Sequence, residues 1–321
     1  MNNISPWDNI PIPHSDFNVR LAETKTGSHC YWGRDSDSKY LFIIELNGDH
    51  TAQYIKNISV VKGIDIDLRS NMIGKQFLIF KLERQCDCDL FSSICHTLLS
   101  SLEHATNSES ALTMSLAHIR RWKRFLTGNK ETLSPEEIRG LFSEVFFLLE
   151  MIDRGISISV AIQAWCGPER SHQDFIFDNT SVEVKSISGT ERNSISISSE
   201  DQLESINDAI FLRVYKLGSL SESLKAQSLN QLINTVLSKI TTDEEIDKFE
   251  SKLLNYGYVP LSFYDSPLFI VNGVINYKVN DEFPRLMRSK LPTGIANVSY
   301  NVKLEAIESF KCDDMDIFKD L

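Results

Sequence analysis

The stretch HQDFIFDNTSVEVKS, residues 172–186, limits the folding options of this chain more than any other. His172 to Asp178 and Ser181 to Ile187 are two short runs rich in β-branched and aromatic residues. A tight turn at Asn179 and Thr180 makes them a β-hairpin. Glu183 and Lys185 are two apart on one strand, so both point to the same face. With that turn, Asp174 lies opposite Lys185 and diagonal to Glu183. Such neighbours sit about 5 Å and about 7 Å apart. Two carboxylates ~5 Å apart at an effective dielectric of ~20 repel by roughly 3 kcal/mol. A lysine offsets part of this and a divalent cation offsets more. Magnesium takes oxygen ligands, keeps several waters and uses one or two protein carboxylates. It also makes a bound water more acidic and stabilises charge developing on a phosphate.

An acid-x-Lys triplet is a weak signal alone, since the chain has four: Glu23/Lys25, Asp37/Lys39, Glu183/Lys185 and Glu250/Lys252. Read in isolation, Glu183 and Lys185 are a same-face ion pair on a solvated strand, contributing almost nothing. Only this triplet sits on an apolar strand with an acid across a turn upstream. The surrounding order adds weight. Ser134-Pro135-Glu136-Glu137 is a capping box with proline at the first helical position. Ile138, Leu141, Phe142, Val145, Leu149 and Ile152 form one helical stripe, and Gly155 is a stop. Glu144 lies at the edge of that stripe, either as a surface acid or leaning over whatever the helix packs on. Ser194 to Ser198 alternates as a third strand, Ser199 and Gln202 begin a short helix, and Ala209 to Tyr215 is an apolar strand. The predicted order is helix, three strands, helix, strand. Gln202 reads by default as a helix-cap residue, and His172 as a strand-end polar residue.

With these motifs placed, the chain resembles the PD-(D/E)xK nuclease superfamily. Asp174 matches the motif acid, Glu183-Val184-Lys185 the (D/E)xK triplet, and Glu144 the helix glutamate of many members. Gly140-Leu-Phe-Ser-Glu144, Trp165-Cys-Gly-Pro168, His172-Gln-Asp-Phe175 and Gln202-Leu203 are similar to a family of bacterial PD-(D/E)xK motif proteins akin to restriction and phage-defence components. The resemblance covers about a quarter of the chain. It implies an α/β fold with a restriction-endonuclease-like core, αβββαβ, over residues 131–218. It implies a Mg2+-dependent endonuclease acting on DNA, with Mn2+ able to substitute. Asp174, Glu183, Glu144 and Val184 would serve the metal, and Asp174, Glu183, Lys185, Glu144 and Gln202 catalysis. A partner ATPase or other defence subunit, and a homodimer for double-strand cutting, are the implied partners. Two departures stand out. Gln173 replaces the motif proline, and Ile206 stands where one exonuclease branch carries a tyrosine four residues after the glutamine.

Residues 1–130 read as an N-terminal α+β module for recognition or docking, with strands at Tyr40–Leu46 and Gln76–Leu82 and helices at Leu90–His104 and Met114–Leu126. A boundary is expected at Thr127-Gly128-Asn129-Lys130. Residues 219–321 read as a helical and β extension, helical over Ser221–Tyr256 and ending in a mobile acidic tail, Lys311–Leu321. The net charge of −11 argues against a non-specific nucleic-acid coat. Positive charge concentrates in two acid-free stretches, Thr113–Lys130 and Arg285–Lys303. The first, with Trp122 and Phe125 interleaved, fits either a backbone-contacting face or a solvated amphipathic helix. Six sparse cysteines and no basic-then-apolar N-terminus lead to the expectation of a reducing cytoplasm. No apolar run approaches the ~20 residues of a membrane helix. Cys86, Cys88, Cys95 and His96 lack the usual zinc spacing. No phosphate-binding loop, nucleophile elbow or H-E-x-x-H is present. The competing reading is a non-catalytic adaptor that keeps the fold and binds a partner protein or DNA.

Overall fold

The computed structural model describes residues 5–23, 29–58, 60–61, 63–71, 74–83, 88–126, 132–169, 171–188, 193–205, 207–218 and 225–319. The chain forms two compact units, Met1–Glu131 and Thr132–Leu321. The boundary residues 127–130 and Ile206 lie outside the described residues.

The first unit is an antiparallel sheet of β1 (Phe17–Leu21), β2 (Cys30–Asp35), β3 (Tyr40–Asn47), β4 (Ile64–Ser70) and β5 (Lys75–Leu82), in the order β1-β2-β3-β5-β4. A short helix α1 (Thr51–Asn57) links β3 to β4, and α2 (Cys88–Ser101) and α3 (Ser108–Leu126) follow. Strands β3 and β5 are the two expected from sequence, and each buries a nearly continuous apolar run. In α3, Trp122 is buried rather than presented to a ligand, with its ring 6.0 Å from that of His118. The side chains of Arg121, Lys123, Arg124 and Phe125 lie outside the described residues, as does Lys130.

The second unit opens with α4 (Pro135–Asp153), whose capping box forms as the sequence requires: Ser134 Oγ accepts from Glu137 N–H, and Glu137 answers the Ser134 N–H. Gly155, at φ 92°, ends it in the left-handed conformation that glycine adopts at little cost. Next come α5 (Ile158–Ala164), β6 (Phe175–Phe177), β7 (Thr180–Ser188), β8 (Ser194–Ile197) and β9 (Ala209–Gly218). The remainder is α6 (Leu229–Lys239), α7 (Asp243–Tyr256), β10 (Ile270–Lys278), β11 (Tyr300–Lys303), β12 (Lys311–Cys312) and α8 (Asp314–Phe318). One sheet runs β12-β10-β9-β7-β6, with β7 and β9 parallel and the other pairs antiparallel. One apolar cluster on this sheet gathers α4, α5, α6 and α7 around Val182, Val184, Phe211 and Tyr215. A second holds Ile187, Leu212 and Val214 with β8 and β11. Among the described residues no helix is long and apolar enough to cross a membrane.

The structure departs from the sequence expectations at several points. The hairpin turn is Asp178-Asn179, not Asn179-Thr180, because Phe177 pairs with Thr180 and Asp178 takes φ 51°. That shift of the turn moves the register by two residues. The third strand, β8, leaves the main sheet and pairs with β11. The expected short helix is a single 3-10 turn, Glu200–Leu203. Finally, the acidic C-terminal stretch is not a loose tail over its described part: β12 pairs with β10, and Ile317 of α8 is buried. Residues 219–321 also share both apolar clusters with residues 132–218, so the two segments form one unit.

Candidate metal centre

Strand β6 is only three residues long, and its pairing with β7 stops at Val182, one residue short of Glu183. The pairing Phe175↔Val182, extended by one residue, sets Asp174 opposite Glu183. Asp174 does not continue the ladder. Its Oδ2 instead accepts the Val184 N–H at 2.8 Å, and its carbonyl accepts Cys166 N–H at 2.8 Å and Gly167 N–H at 3.0 Å. The N–H and C=O of one strand residue share an edge, so the Val184 carbonyl faces the same opening.

Glu144 enters from α4. Trp165 Nε1–H donates to Glu144 Oε2 at 2.7 Å. Gly167 brings the backbone in close: a Cβ there would lie 2.5 Å from Glu144 Oε2 and 3.2 Å from Asp174 Oδ1. Its lack of a side chain is therefore what lets these two carboxylates share the opening. The Tyr256 hydroxyl, at the end of α7, faces Glu144, and a Cβ on Gly140 would come within 3.0 Å of it. Lys252, also on α7, donates to the Trp165 carbonyl and pairs with Glu169 at 3.0 Å. The C-terminal half of the unit thus braces the segment that holds Glu144.

Lys185 sits on the same face of β7 as Glu183, and its Nζ lies 2.8 Å from Glu183 Oε1. Nζ also donates to Gln202 Oε1 at 3.2 Å, an oxygen that accepts the Ser198 N–H at 2.8 Å as well. Gln202 is thus more than a cap: it holds the lysine. Gln173, in the motif proline position, donates to the Asp201 and Glu204 carbonyls, both at 2.9 Å, and ties the Gln202 turn to the start of the hairpin. His172 stays exposed and pairs with Asp201 at 3.8 Å, away from the carboxylates.

The electrostatics are those of crowded, buried acids. Glu183 is fully buried, and its carboxyl is pushed up to about 8, first by burial, then by Asp174, with Lys185 opposing. Burial and then the Asp174 charge raise Glu144 well above the carboxylate range, against the Trp165 hydrogen bond. Burial also raises Asp174, while Lys185 and the Val184 N–H pull it down. Lys185 is raised: burial works to lower it, but the Glu183 and Asp174 charges outweigh that.

The lysine contact is close but poorly aligned, and although the Asp174 N–H also faces the Glu183 carboxylate, neither oxygen has a hydrogen bond of good geometry among the described residues. An acid buried without hydrogen bonds is costly unless something else satisfies it. Among the described residues no three Asp, Glu, His or Cys side chains converge as a ready-formed metal cage. The donor set is nonetheless all oxygen: Glu183, Asp174, Glu144 and the Val184 carbonyl. A hard divalent cation that keeps part of its water shell fits it.

The structure brings together every sequence-derived site residue: Glu144, Asp174, Glu183, Val184, Lys185 and Gln202. Sequence reasoning missed the parts played by Trp165, Gly167 and Tyr256. The first two lie in the Trp165-Cys-Gly-Pro168 motif. Tyr256 is 112 residues beyond Glu144, and no local signal marks it. The other acid-x-Lys triplets do not build such a site. Lys39 pairs with Glu83 at 2.9 Å, Glu250/Lys252 lies on α7, and Lys25 is outside the described residues.

Comparison with the curated proteins and with the solved structures finds no match. A family model matches residues 3–305, nearly the whole chain, and the protein therefore belongs to the family described as "Putative PD-(D/E)XK family member, (DUF4420)".

Proposed function

We propose that this protein is a divalent-metal-dependent DNA nuclease, an endonuclease of restriction or phage-defence type working with a partner ATPase. The observation that carries this reading is Glu183: fully buried, without a well-formed hydrogen bond among the described residues, beside Asp174 and Lys185. The order α4, α5, β6, β7, β8, the Glu200–Leu203 turn and β9 supports an αβββαβ core with one added short helix, although β8 pairs outside the main sheet.

In this reading Asp174, Glu183 and the Val184 carbonyl would hold Mg2+ or Mn2+, with Glu144 as a further oxygen donor beside them. The bound cation supplies Lewis acidity and offsets the negative charge of the phosphodiester. Lys185 orients the attacking water and counters charge developing on the phosphate, where a fixed cation in a partly dry site is most effective. Gln202 keeps the ammonium aimed, since its oxygen accepts from Lys185 and is fixed by the Ser198 N–H. Trp165 and Gly167 set where the Glu144 carboxylate lies.

The test is cleavage of supercoiled plasmid with Mg2+ or Mn2+, beside Asp174→Ala and Lys185→Ala. Each variant should lose at least about 100-fold in rate, the scale expected for one group stabilising developing charge. Wild-type cleavage that persists unchanged in Lys185→Ala sinks the assignment. No cleavage by any form, with no rise in melting temperature on adding millimolar metal, favours a nuclease fold retired to docking.

A further inference from the structure

The site has a neighbour that the nuclease reading does not use. Residues 283–303 carry Arg285, Arg288, Lys290 and Lys303 and no acid, in a chain of net charge −11. This strap is fastened to the one-turn helix that carries Gln202. The buried Glu200 carboxylate accepts the Asn297 N–H at 3.2 Å and the Val298 N–H at 2.7 Å. Glu204 accepts the Arg288 N–H at 2.8 Å and the Ser289 hydroxyl at 3.0 Å. Arg285, nine-tenths buried, donates to the Leu203 carbonyl. Beyond these anchors, β11 pairs with β8. Tyr300, at the start of β11, accepts the Leu286 N–H at 3.2 Å and lies within electrostatic range of both Arg285 and Lys185.

Unlike Arg285, the strap's Arg288 and Lys290 side chains are not consumed in holding it. Arg288 reaches Asp201 at 3.6 Å with 68% of its side chain exposed, and exposed pairs of this kind contribute little. Lys290 is exposed. Two acids of the turn, Glu200 and Glu204, are occupied with strap backbone and hydroxyl groups, so the outward side of the strap is left with its cations. A phosphodiester backbone that presents one ester to Asp174, Glu183 and Lys185 must run past neighbouring phosphates, and each needs a cation to replace its counter-ions.

We propose that the Arg285–Lys303 strap is the wall that seats the DNA backbone beside the carboxylate site, with Arg288 and Lys290 contacting phosphates. The inference rests on the nuclease reading of those carboxylates, and its test is kept separate from cleavage. Binding of the full-length chain to a labelled duplex DNA is followed by anisotropy, with calcium in place of magnesium, over about 50 to 200 mM salt. Wild type should bind. The double variant Arg288→Ala/Lys290→Ala should bind about tenfold or more weakly, with the slope of log K against log salt reduced by about 2, one unit per lost phosphate contact. Arg288→Lys should retain most binding, and an unchanged melting temperature in each variant shows that the fold is intact. An unchanged affinity and slope in the double variant overturns the proposal. So does a wild type that binds no DNA, or one that binds only an RNA duplex of the same length. Cleavage that persists with unaltered binding in the double variant refutes the strap and leaves the nuclease reading standing. Strap-dependent binding without any cleavage does the reverse.

Discussion

Glu183 is buried beside a second acid, and its raised pKa has a measurable consequence. An acid whose pKa rises from 4.5 unfolded to about 8 folded holds its proton more tightly when folded. Its contribution to stability is therefore fully present below about pH 4.5 and is lost as pH rises through about 8. In chelator the melting temperature should fall across that window, and Glu183→Gln should flatten the decline. A slope unaltered by the substitution would remove Glu183 as its source. Metal requires the ionised carboxylate, so stabilisation by Mn2+ should grow over the same window. Gly167 yields a second expectation. Its missing Cβ would meet Glu144 Oε2, which cannot retreat freely because Trp165 Nε1 holds it at 2.7 Å. Gly167→Ala should cost about 1–3 kcal/mol as a local overpacking and should abolish the Mn2+-induced rise in melting temperature. A variant that responds to metal like wild type would show that Glu144 does not need its present place.

At the scale of elements, the hairpin decides how the acids meet. Its turn residue Asp178 sits at φ 51°, a conformation aspartate tolerates and β-branched residues do not. Asp178→Val should destabilise the second unit by about 1–2 kcal/mol, whereas Asp178→Gly should be neutral or better; denaturant titration distinguishes them. The hairpin's existence was legible from its alternating apolar residues, and so was the shared face of Glu183 and Lys185. The register was not. Asp-Asn and Asn-Thr are both acceptable turn pairs, and moving the turn by one position shifts the facing residues by two. Helix α4 was legible in more detail, because the capping box, the proline and Gly155 are local instructions. Strand β8 was recognised as a strand but not by its partner, since β11 lies about a hundred residues away in sequence.

At the scale of the whole second unit, a buried arginine does what no local pattern announces. Arg213, 1% exposed on β9, donates to Glu150 of α4 at 2.8 Å, to Tyr215 and Asn276 at 2.8 Å each, and to Asp314 of α8. Asp314 also pairs with Arg154, so the acidic C-terminal stretch is drawn onto the core rather than left in solvent. Removing Arg213 would take the cation from Glu150, which keeps the Tyr215 hydroxyl, and would leave Asp314 to Arg154 and Asn276. Arg213→Ala should therefore cost about 3–5 kcal/mol, read from chemical denaturation, and should expose residues 311–319 to protease. A loss below about 1 kcal/mol would mean that the buried charges are readily rehydrated.

Local chemistry along the chain dictates the span of α4 from its caps, the alternation of β6 and β7, the side-by-side placement of Glu183 and Lys185, and the candidacy of Asp174. These depend on backbone periodicity and on interactions between residues a few positions apart, which act before any tertiary contact exists. Packing between distant elements supplied the rest. It placed Asp174 opposite Glu183, turned Glu144 inward between Trp165 and Tyr256, set Gln202 on the lysine, and folded the acidic tail onto Arg213. Each of these depends on which distant element fills the space beside a residue. That space is settled only when the apolar faces of α4, α7 and the sheet are buried together.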